Sequence, residues 1–279
     1  MNRRSKLLSM WLCFGFVFLY LPLVSLVIYS FNKSRLATLW GGFSTEWYVK
    51  LFANSQIIEA ALLSIRIAAV SATLAMILGT MAGFALARFI SFPGRTLFSG
   101  LVSAPLVMPE VITGLSLLFL FIMMEQAIGW PRGRGATTVT LAHITFSMSY
   151  VAVIVQSRLS SMDRSVEEAA MDLGSKPLRV LFDITLPIIS PAMISGWLLA
   201  FTLSLDDLVI TAFTTGPGAN TLPLVVWSKV KLGVTPDVNA LATIIIGVVA
   251  TCVVIAGIIL YRADRRRERD IQAAIAANQ

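Results

Sequence analysis

Three carboxylates lie in stretches of sequence that are otherwise apolar, namely Glu110, Asp206 and Asp207. An ionised side chain costs roughly 2.5–3.5 kcal/mol at the centre of a membrane-spanning helix, so such a residue indicates a functional position by default. Because only Arg66 offers a basic partner at comparable depth, we expect these carboxylates to line a pathway for a polyvalent cation. In the alternative interpretation, the two aspartates cap a helix break, or pair with Arg66 or with another subunit.

Aromatic side chains are candidates for the same pathway. Trp197, Phe201 and Tyr150 are suited to cation–π contacts or to contacts with an apolar stem. Adjacent residues on a helix point about 100° apart, so Asp206 and Asp207 cannot both face one lumen equally. We expect one of them to line the path and the other to be structural.

The composition predicts an all-α protein that crosses a membrane several times. Hydrophobic residues make up 57% of the 279 positions and charged residues 13%, against about 45–50% and about 25% in soluble domains. Several apolar runs exceed the roughly 18 residues that a spanning helix needs. We predict one transmembrane domain over residues 1–279, with spans at about 10–31, 61–87, 96–124, 137–155, 188–213 and 239–261. Pro105 and Pro109 should bend the third span just before Glu110.

The Lys and Arg residues predict the orientation of these spans. Fourteen lie in the N-terminus, the second loop, the loop 156–187 and the C-terminal tail, and seven lie in the opposite loops. Because cytoplasmic loops carry the excess of positive charge, both termini and the loop 156–187 are predicted to be cytoplasmic. The net charge of +7 therefore indicates topology, and not nucleic-acid binding.

The sequence lacks the motifs of the common catalytic, nucleotide and metal sites. There is no phosphate-binding loop, no Gly-x-Ser-x-Gly elbow and no His-Glu-x-x-His helix. Cys13 and Cys252 both lie in apolar runs, which indicates neither a disulfide framework nor a metal site. We therefore predict a non-catalytic chain without a bound cofactor, and a hydrogen-bonded interfacial role for the lone His143.

The loop 156–187 contains a short segment that is predicted to be a capped amphipathic helix. Ser165 and Glu168 have the spacing of a capping box, and Gly174 is expected to close the helix in the left-handed conformation before Pro177. The two faces of this helix carry Val166, Ala169, Ala170 and Leu173 on one side and Glu167, Glu168 and Asp172 on the other. We expect the helix to dock onto a partner outside the membrane.

Glu168-Ala169-Ala170, followed by Gly174 and then by Leu186-Pro187, resembles the EAA signature of permease subunits of binding-protein-dependent ABC importers. The resemblance implies a type I importer (MetI-like) permease fold, in which this segment is the coupling helix that sits in a cleft of a separate ATPase. It assigns ATPase contacts to Glu167, Glu168, Ala169, Ala170, Asp172, Gly174 and Pro187.

Further segments resemble the spermidine/putrescine branch of that family: 104–114, 201–207, 215–223 and 239–243. Within that branch, residues 129–131 and the loop after Asp207 resemble the putrescine type. The resemblance implies a bacterial inner-membrane location and a heterodimer with a second homologous permease. It also implies a cytoplasmic ATPase dimer that binds ATP and Mg, and a periplasmic polyamine-binding protein.

Two other functions stay open on the sequence. The first is an ABC permease for another solute, such as spermidine, ferric iron or thiamine, whereas the acidic residues argue against an anion such as sulfate. The second is a secondary cation transporter, in which the intramembrane carboxylates would be ion sites. The predicted cytoplasmic helix has no evident use in that second case.

Overall fold

The computed structural model describes residues 3–35, 39–89, 91–233 and 236–277. Their regular structure is helical apart from one isolated antiparallel bridge between Asn32 and Phe43. The helices are α1 (Arg3–Tyr29), α2 (Glu46–Ala53), α3 (Ser55–Arg88), α4 (Arg95–Val107), α5 (Glu110–Ile128), α6 (Ala136–Ser161), α7 (Ser165–Asp172), α8 (Pro177–Val180), α9 (Leu186–Asp206), α10 (Val209–Thr214), α11 (Leu222–Leu232) and α12 (Pro236–Ala277).

Five helical segments of the described chain are long and apolar enough to cross a membrane. They are Leu7–Tyr29, Ser55–Arg88, Glu110–Ile128, Ala136–Ser161 and Pro177–Asp206. This finding confirms the predicted all-α, multi-pass class. The sixth predicted span, 239–261, lies within α12 and is not among these five segments, so a sixth crossing stays a prediction.

The chain divides into two compact units, the first made of Met1–Ser55 and Lys229–Gln279. In this unit the apolar part of α1 has no buried residue, as expected of a helix that faces lipid. The loop after α1 is organised by the buried side chain of Asn32, which bonds the backbone of Leu39 and Gly41 at 2.7 and 2.8 Å. Trp47 of α2 donates its indole N–H to the carbonyl of Asn32.

The second unit is Gln56–Ser228, and α6 lies at its centre. Glycine lets the backbone of α3 approach α6 closely, because a Cβ at Gly79 would lie 2.7 Å from the carbonyl oxygen of Met148. On another side, Gly196 of α9 packs against Val151 of α6. Small residues at such contacts are typical of membrane helices, whose association depends on close van der Waals packing.

The third predicted span is divided into two helices. α4 ends at Val107 and α5 begins at Glu110, with Met108 and Pro109 in extended conformation between them. Proline excludes the helical conformation from the residue before it, which explains the extended backbone at Met108. The disruption expected just before Glu110 is confirmed, and it is a complete break instead of a bend.

The fifth predicted span, 188–213, differs from the observed helix at both ends. The helix begins at Pro177 and continues through a π-helical segment, Leu181–Thr185, into α9. It ends at Asp206, where the aspartate pair interrupts it. Pro187 therefore lies inside a helix, in the first turn of α9.

We expect Gly79→Val to destabilise the packing of α3 on α6, because its side chain would clash with the backbone of Met148. Overpacking of this kind costs about 1–3 kcal/mol, which should appear as a lower melting temperature of the purified protein. Gly100→Val in α4 is the matched control, since a Cβ there meets nothing within 4 Å. Equal melting temperatures for the two variants would contradict the close approach.

Candidate functional site

Asp207 follows the last residue of α9, and its carboxylate organises the start of α10. One oxygen accepts the backbone N–H of Ile210 at 3.2 Å. The other accepts both the backbone N–H and the hydroxyl of Thr211, each at 2.7 Å. The side chain is only 7% exposed. Asp207 thus satisfies backbone N–H groups that the first turn of α10 leaves without helical partners.

A chain of buried polar side chains extends from Asp207 across four helices. The Nε2 atom of His143 lies 3.1 Å from the Asp207 carboxylate, and its Nδ1 atom lies 2.6 Å from the hydroxyl of Ser204. Ser204 in turn accepts a hydrogen bond from Ser71 of α3 at 3.0 Å. His143 is hydrogen-bonded as predicted, and at 2% exposure its ring is buried between helices. Its position at the membrane interface stays a prediction.

Sequence reasoning missed Ser71, Ser204 and Thr211 as members of this cluster. Of these three residues, only Thr211 could have been predicted from the sequence. It follows Asp207 by four residues, which is a spacing at which an aspartate can cap the start of a helix. The two serines resemble any other small polar residue of an apolar helix, and only the packing of α3 on α9 brings them together.

Asp206 has a different environment from its neighbour, because its side chain is exposed. By helix geometry it shares a face of α9 with Thr202 and Ser195, four and eleven residues earlier, and both are exposed as well. The structure therefore separates the two aspartates. Asp207 points into the protein, and Asp206 points out of it along a partly polar stripe.

Glu110 is also exposed, and it is the residue at which α5 begins. A carboxylate at a helix N-terminus interacts favourably with the helix dipole. α5 packs closely on α10 at Gly114, where a Cβ would lie 2.8 Å from the ring of Phe213. The two helices that begin at the two breaks are therefore in contact.

The three predicted aromatic residues pack against the protein interior. Trp197 and Phe201 are stacked with ring centroids 5.2 Å apart, and the Trp197 indole donates to Thr73 at 3.0 Å. Phe201 lies about 140° around α9 from Asp206. Tyr150 packs edge-on against Phe146 at 5.3 Å. On this chain, the face of α9 that carries Trp197 and Phe201 is not the face that carries Asp206.

The second candidate region is α7, and its C-terminal end matches the prediction. Gly174 has φ +89°, the left-handed conformation that glycine adopts without steric penalty. The N–H of Gly174 donates to Met171 at 2.9 Å, and the N–H of Ser175 donates to Ala170 at 3.0 Å. These two bonds form a Schellman motif.

The predicted capping box at the start of α7 is wrong. Ser165 is already the first helical residue, and the N–H of Glu168 donates to the carbonyl of Arg164. Instead, the carboxylate of Asp163 accepts the N–H of Ser165 at 3.0 Å. The amide and hydroxyl of Ser165 hold the pKa of the Asp163 carboxyl below its ordinary value. The side chain that caps α7 is thus that of Asp163, two residues before the helix begins.

Glu167 fixes α7 to the rest of the chain. Its carboxylate forms two contacts with the guanidinium of Arg88 at 2.9 and 3.1 Å, and it accepts the hydroxyl of Thr185 at 2.7 Å. Arg88 ends α3, and Thr185 ends the π-helical segment before α9. With its side chain 12% exposed, Glu167 contacts its own chain, although the sequence assigned it to a partner surface.

The opposite surface of α7 is open. Glu168, Ala169 and Asp172 are exposed, and Leu173 next to them is 89% exposed. Pro187, the other predicted contact, is exposed in the first turn of α9, whereas Ala170 is half-buried. The exposed face of α7 therefore combines acidic groups with an apolar side chain. Within the described residues, no cluster of three metal-ligating side chains occurs.

Comparisons with known proteins agree with these features. Residues 75–269 match the family model described as binding-protein-dependent transport system inner membrane component. The chain is 56% identical over 278 residues to the putrescine transport system permease protein PotI of Escherichia coli (strain K12), covering 98% of this chain and 99% of that protein. It is 43% identical to the spermidine/putrescine transport system permease protein PotC of Haemophilus influenzae, covering 88% and 92%.

A solved structure shows a similar fold. A chain of a bacterial ABC transporter involved in the import of the acidic polysaccharide alginate aligns with a TM-score of 0.68, covering 92% of this chain and 97% of its own. Because the sequence identity is 14%, this likeness concerns the fold alone.

We expect Asp207→Ala and Asp206→Ala to have different effects on stability. The first leaves His143 and the amides of Ile210 and Thr211 without their acceptor, and unpaired buried groups cost about 1–3 kcal/mol each. The yield and melting temperature of the purified protein should therefore fall for Asp207→Ala and stay near the parent values for Asp206→Ala. A reversed order would show that Asp206 is the structural residue.

Proposed function

The chain belongs to the family of inner membrane components of binding-protein-dependent transport systems, and we propose that its cargo is putrescine. Members of this family are multi-pass, non-catalytic permeases that bind no cofactor, and the ATPase is a separate subunit. The observation that carries the cargo assignment is the 56% identity to PotI over nearly the whole of both chains. Exposed Glu110 and Asp206 add negative charge suited to a diammonium cargo.

We infer that residues 1–279 form one permease domain with both termini and α7 in the cytoplasm. The excess of Lys and Arg in the corresponding loops supports this orientation. The contact between Arg88 and Glu167 supports it as well, since it joins two loops that the charge rule assigns to the same side. α7 is then the coupling helix, and its exposed face contacts the ATPase dimer through Glu168, Ala169 and Asp172.

The remaining partners follow from the proposed transport cycle. A second homologous permease completes the pathway as a heterodimer, and a periplasmic polyamine-binding protein delivers the cargo. Binding of ATP to the ATPase moves α7 and opens the pathway to the binding protein. Glu110 and Asp206 then hold the diamine weakly enough for its release, while Asp207 keeps the helix break in place.

Spermidine is the second candidate cargo, and the 43% identity to PotC over most of the chain favours it. Both cargoes are linear polyamines, so the same carboxylates suit either one. Selection between them is expected to lie largely in the binding protein.

Uptake of radiolabelled putrescine into proteoliposomes that contain the assembled complex, its binding protein and internal ATP tests the proposal. We expect ATP-dependent uptake that excess sulfate or thiamine does not reduce. Uptake of spermidine in preference to putrescine would support the second candidate. Absence of putrescine-stimulated uptake would reject the putrescine assignment, and uptake without an ATPase subunit would indicate a secondary transporter.

We expect Glu110→Gln and Asp206→Asn, made singly, to lower putrescine uptake several-fold while the complex still assembles. Each change removes a negative charge that attracts the ammonium group and keeps the size of the side chain nearly constant. Glu46→Gln is the control, because Glu46 is an exposed partner of Lys50 on α2. Unchanged uptake in both variants would show that neither carboxylate takes part in the pathway.

We expect Gly174→Val to reduce transport relative to ATP hydrolysis. A β-branched residue opposes the left-handed conformation that closes α7, so the exposed face of the helix would be displaced. Gly94→Val is the matched control, since Gly94 has a similar φ of +82° and lies before α4, outside α7. Normal transport per ATP in Gly174→Val, or an equal loss in Gly94→Val, would contradict a specific role of this cap.

A further inference from the structure

A polar pocket of about 240 Å³ lies between the first turns of α3 and the loop before α11. Glu59 supplies a carboxylate to its lining, and Gln56 and Asn220 supply side-chain amides. Gln56 and Glu59 are three residues apart on α3 and therefore share one face of the helix. Ala60, Leu63 and Gly218 complete the lining with small or apolar surface.

The loop that forms the far wall is held firmly against α3. The backbone N–H of Leu222 donates to the hydroxyl of Ser64 at 2.7 Å. Within the loop, the hydroxyl of Thr215 donates to the carbonyl of Ala219, also at 2.7 Å, and Gly218 turns the chain with φ +76°. Because these contacts fix both walls, the pocket is formed without any ligand.

The carboxylate of Glu59 is exposed, and no ion pair or hydrogen bond within the described ranges involves it. The nearest cationic residue on the same face of α3 is Arg66, two turns after Glu59 and about 10 Å away along the helix axis. Arg66 forms no ion pair with Glu59. One carboxylate beside two amide oxygens offers acceptors for the three N–H donors of an ammonium group. An anion would meet the negative charge of Glu59, so this arrangement favours a primary ammonium.

The position of the pocket relates it to the proposed pathway. Glu59 lies 29 residues before Arg88 on α3, or about 43 Å from the end that binds α7. Ser71 contacts Ser204 near the end of α9, and Glu59 lies about 18 Å along α3 beyond that contact. The pocket is thus at the end of the unit opposite to α7, beyond the level of Asp206.

We propose that Glu59, Gln56 and Asn220 form an entry subsite that binds the primary ammonium end of the cargo before it reaches Asp206 and Glu110. The ammonium chemistry rests on the pocket itself, and the identity of the cargo as a diamine rests on the proposed function. Two experiments separate these two parts.

The first experiment labels a cysteine in the pocket of the assembled, membrane-embedded complex. Asn220→Cys is introduced after Cys13 and Cys252 are replaced by serine, and its labelling rates with the cationic 2-aminoethyl methanethiosulfonate and with neutral methyl methanethiosulfonate are compared. Relative to a free thiol, we expect the cationic reagent to be favoured about tenfold, because the Glu59 charge attracts it.

Adding Glu59→Gln should abolish this preference for the cationic reagent. Glu46→Gln changes an exposed carboxylate outside the pocket lining and should leave the preference unchanged. Putrescine should slow the labelling by the cationic reagent in the presence of Glu59. A preference that survives Glu59→Gln would overturn the subsite, and so would labelling that putrescine does not slow. This readout does not depend on transport.

The second experiment compares putrescine uptake at limiting concentrations of loaded binding protein. We expect Glu59→Gln to slow uptake about threefold or more and Glu46→Gln to leave it unchanged. If the parent complex transports no putrescine, the proposed function fails while the labelling result still stands. If Glu59→Gln equally weakens attachment of the empty binding protein, a lysine of that protein occupies the pocket and the diamine assignment is overturned.

Discussion

The two helices that meet at Asp207 leave backbone groups without helical partners, and the need to pair these groups away from water governs the structure there. Its carboxylate accepts the first amides of α10 and the hydroxyl of Thr211. His143 connects the same carboxylate to α6, and Ser204 connects His143 to α9 and α3. Each unsatisfied group would cost several kcal/mol in hydrocarbon, so the break after Asp206 depends on this network.

The network also explains why two adjacent carboxylates have opposite environments. Asp207 is held inward by its hydrogen bonds, and the helical rotation of about 100° per residue then directs Asp206 outward. The break before Glu110 has a simpler origin, since Pro109 alone accounts for it. The contact of α5 with α10 at Gly114 joins the two interrupted regions. The exposed carboxylates of the proposed pathway are thus products of the two helix breaks.

A continuous series of contacts joins α7 to the membrane helices. Glu167 binds Arg88 at the end of α3 and Thr185 in the π-helical segment. That segment leads without interruption into α9, whose last residue is Asp206. A buried ion pair adds little net stability, but its geometry is specific, and loss of one partner is costly. A displacement of α7 therefore acts on both α3 and α9.

The sequence by itself determined the all-α membrane class, the break before Glu110 and the left-handed Gly174, because hydropathy, proline and glycine act locally. It also predicted that Asp206 and Asp207 would differ, from helical periodicity alone. Only the tertiary structure decided which of them is buried, since periodicity gives the angle between two side chains and not their direction relative to the core. The same reason applies to Glu167, whose partner Arg88 lies 79 residues away, and to the start of α7, where Asp163 replaced the expected cap of Ser165. The pocket of Glu59 likewise exists only because the loop before α11 folds back onto α3.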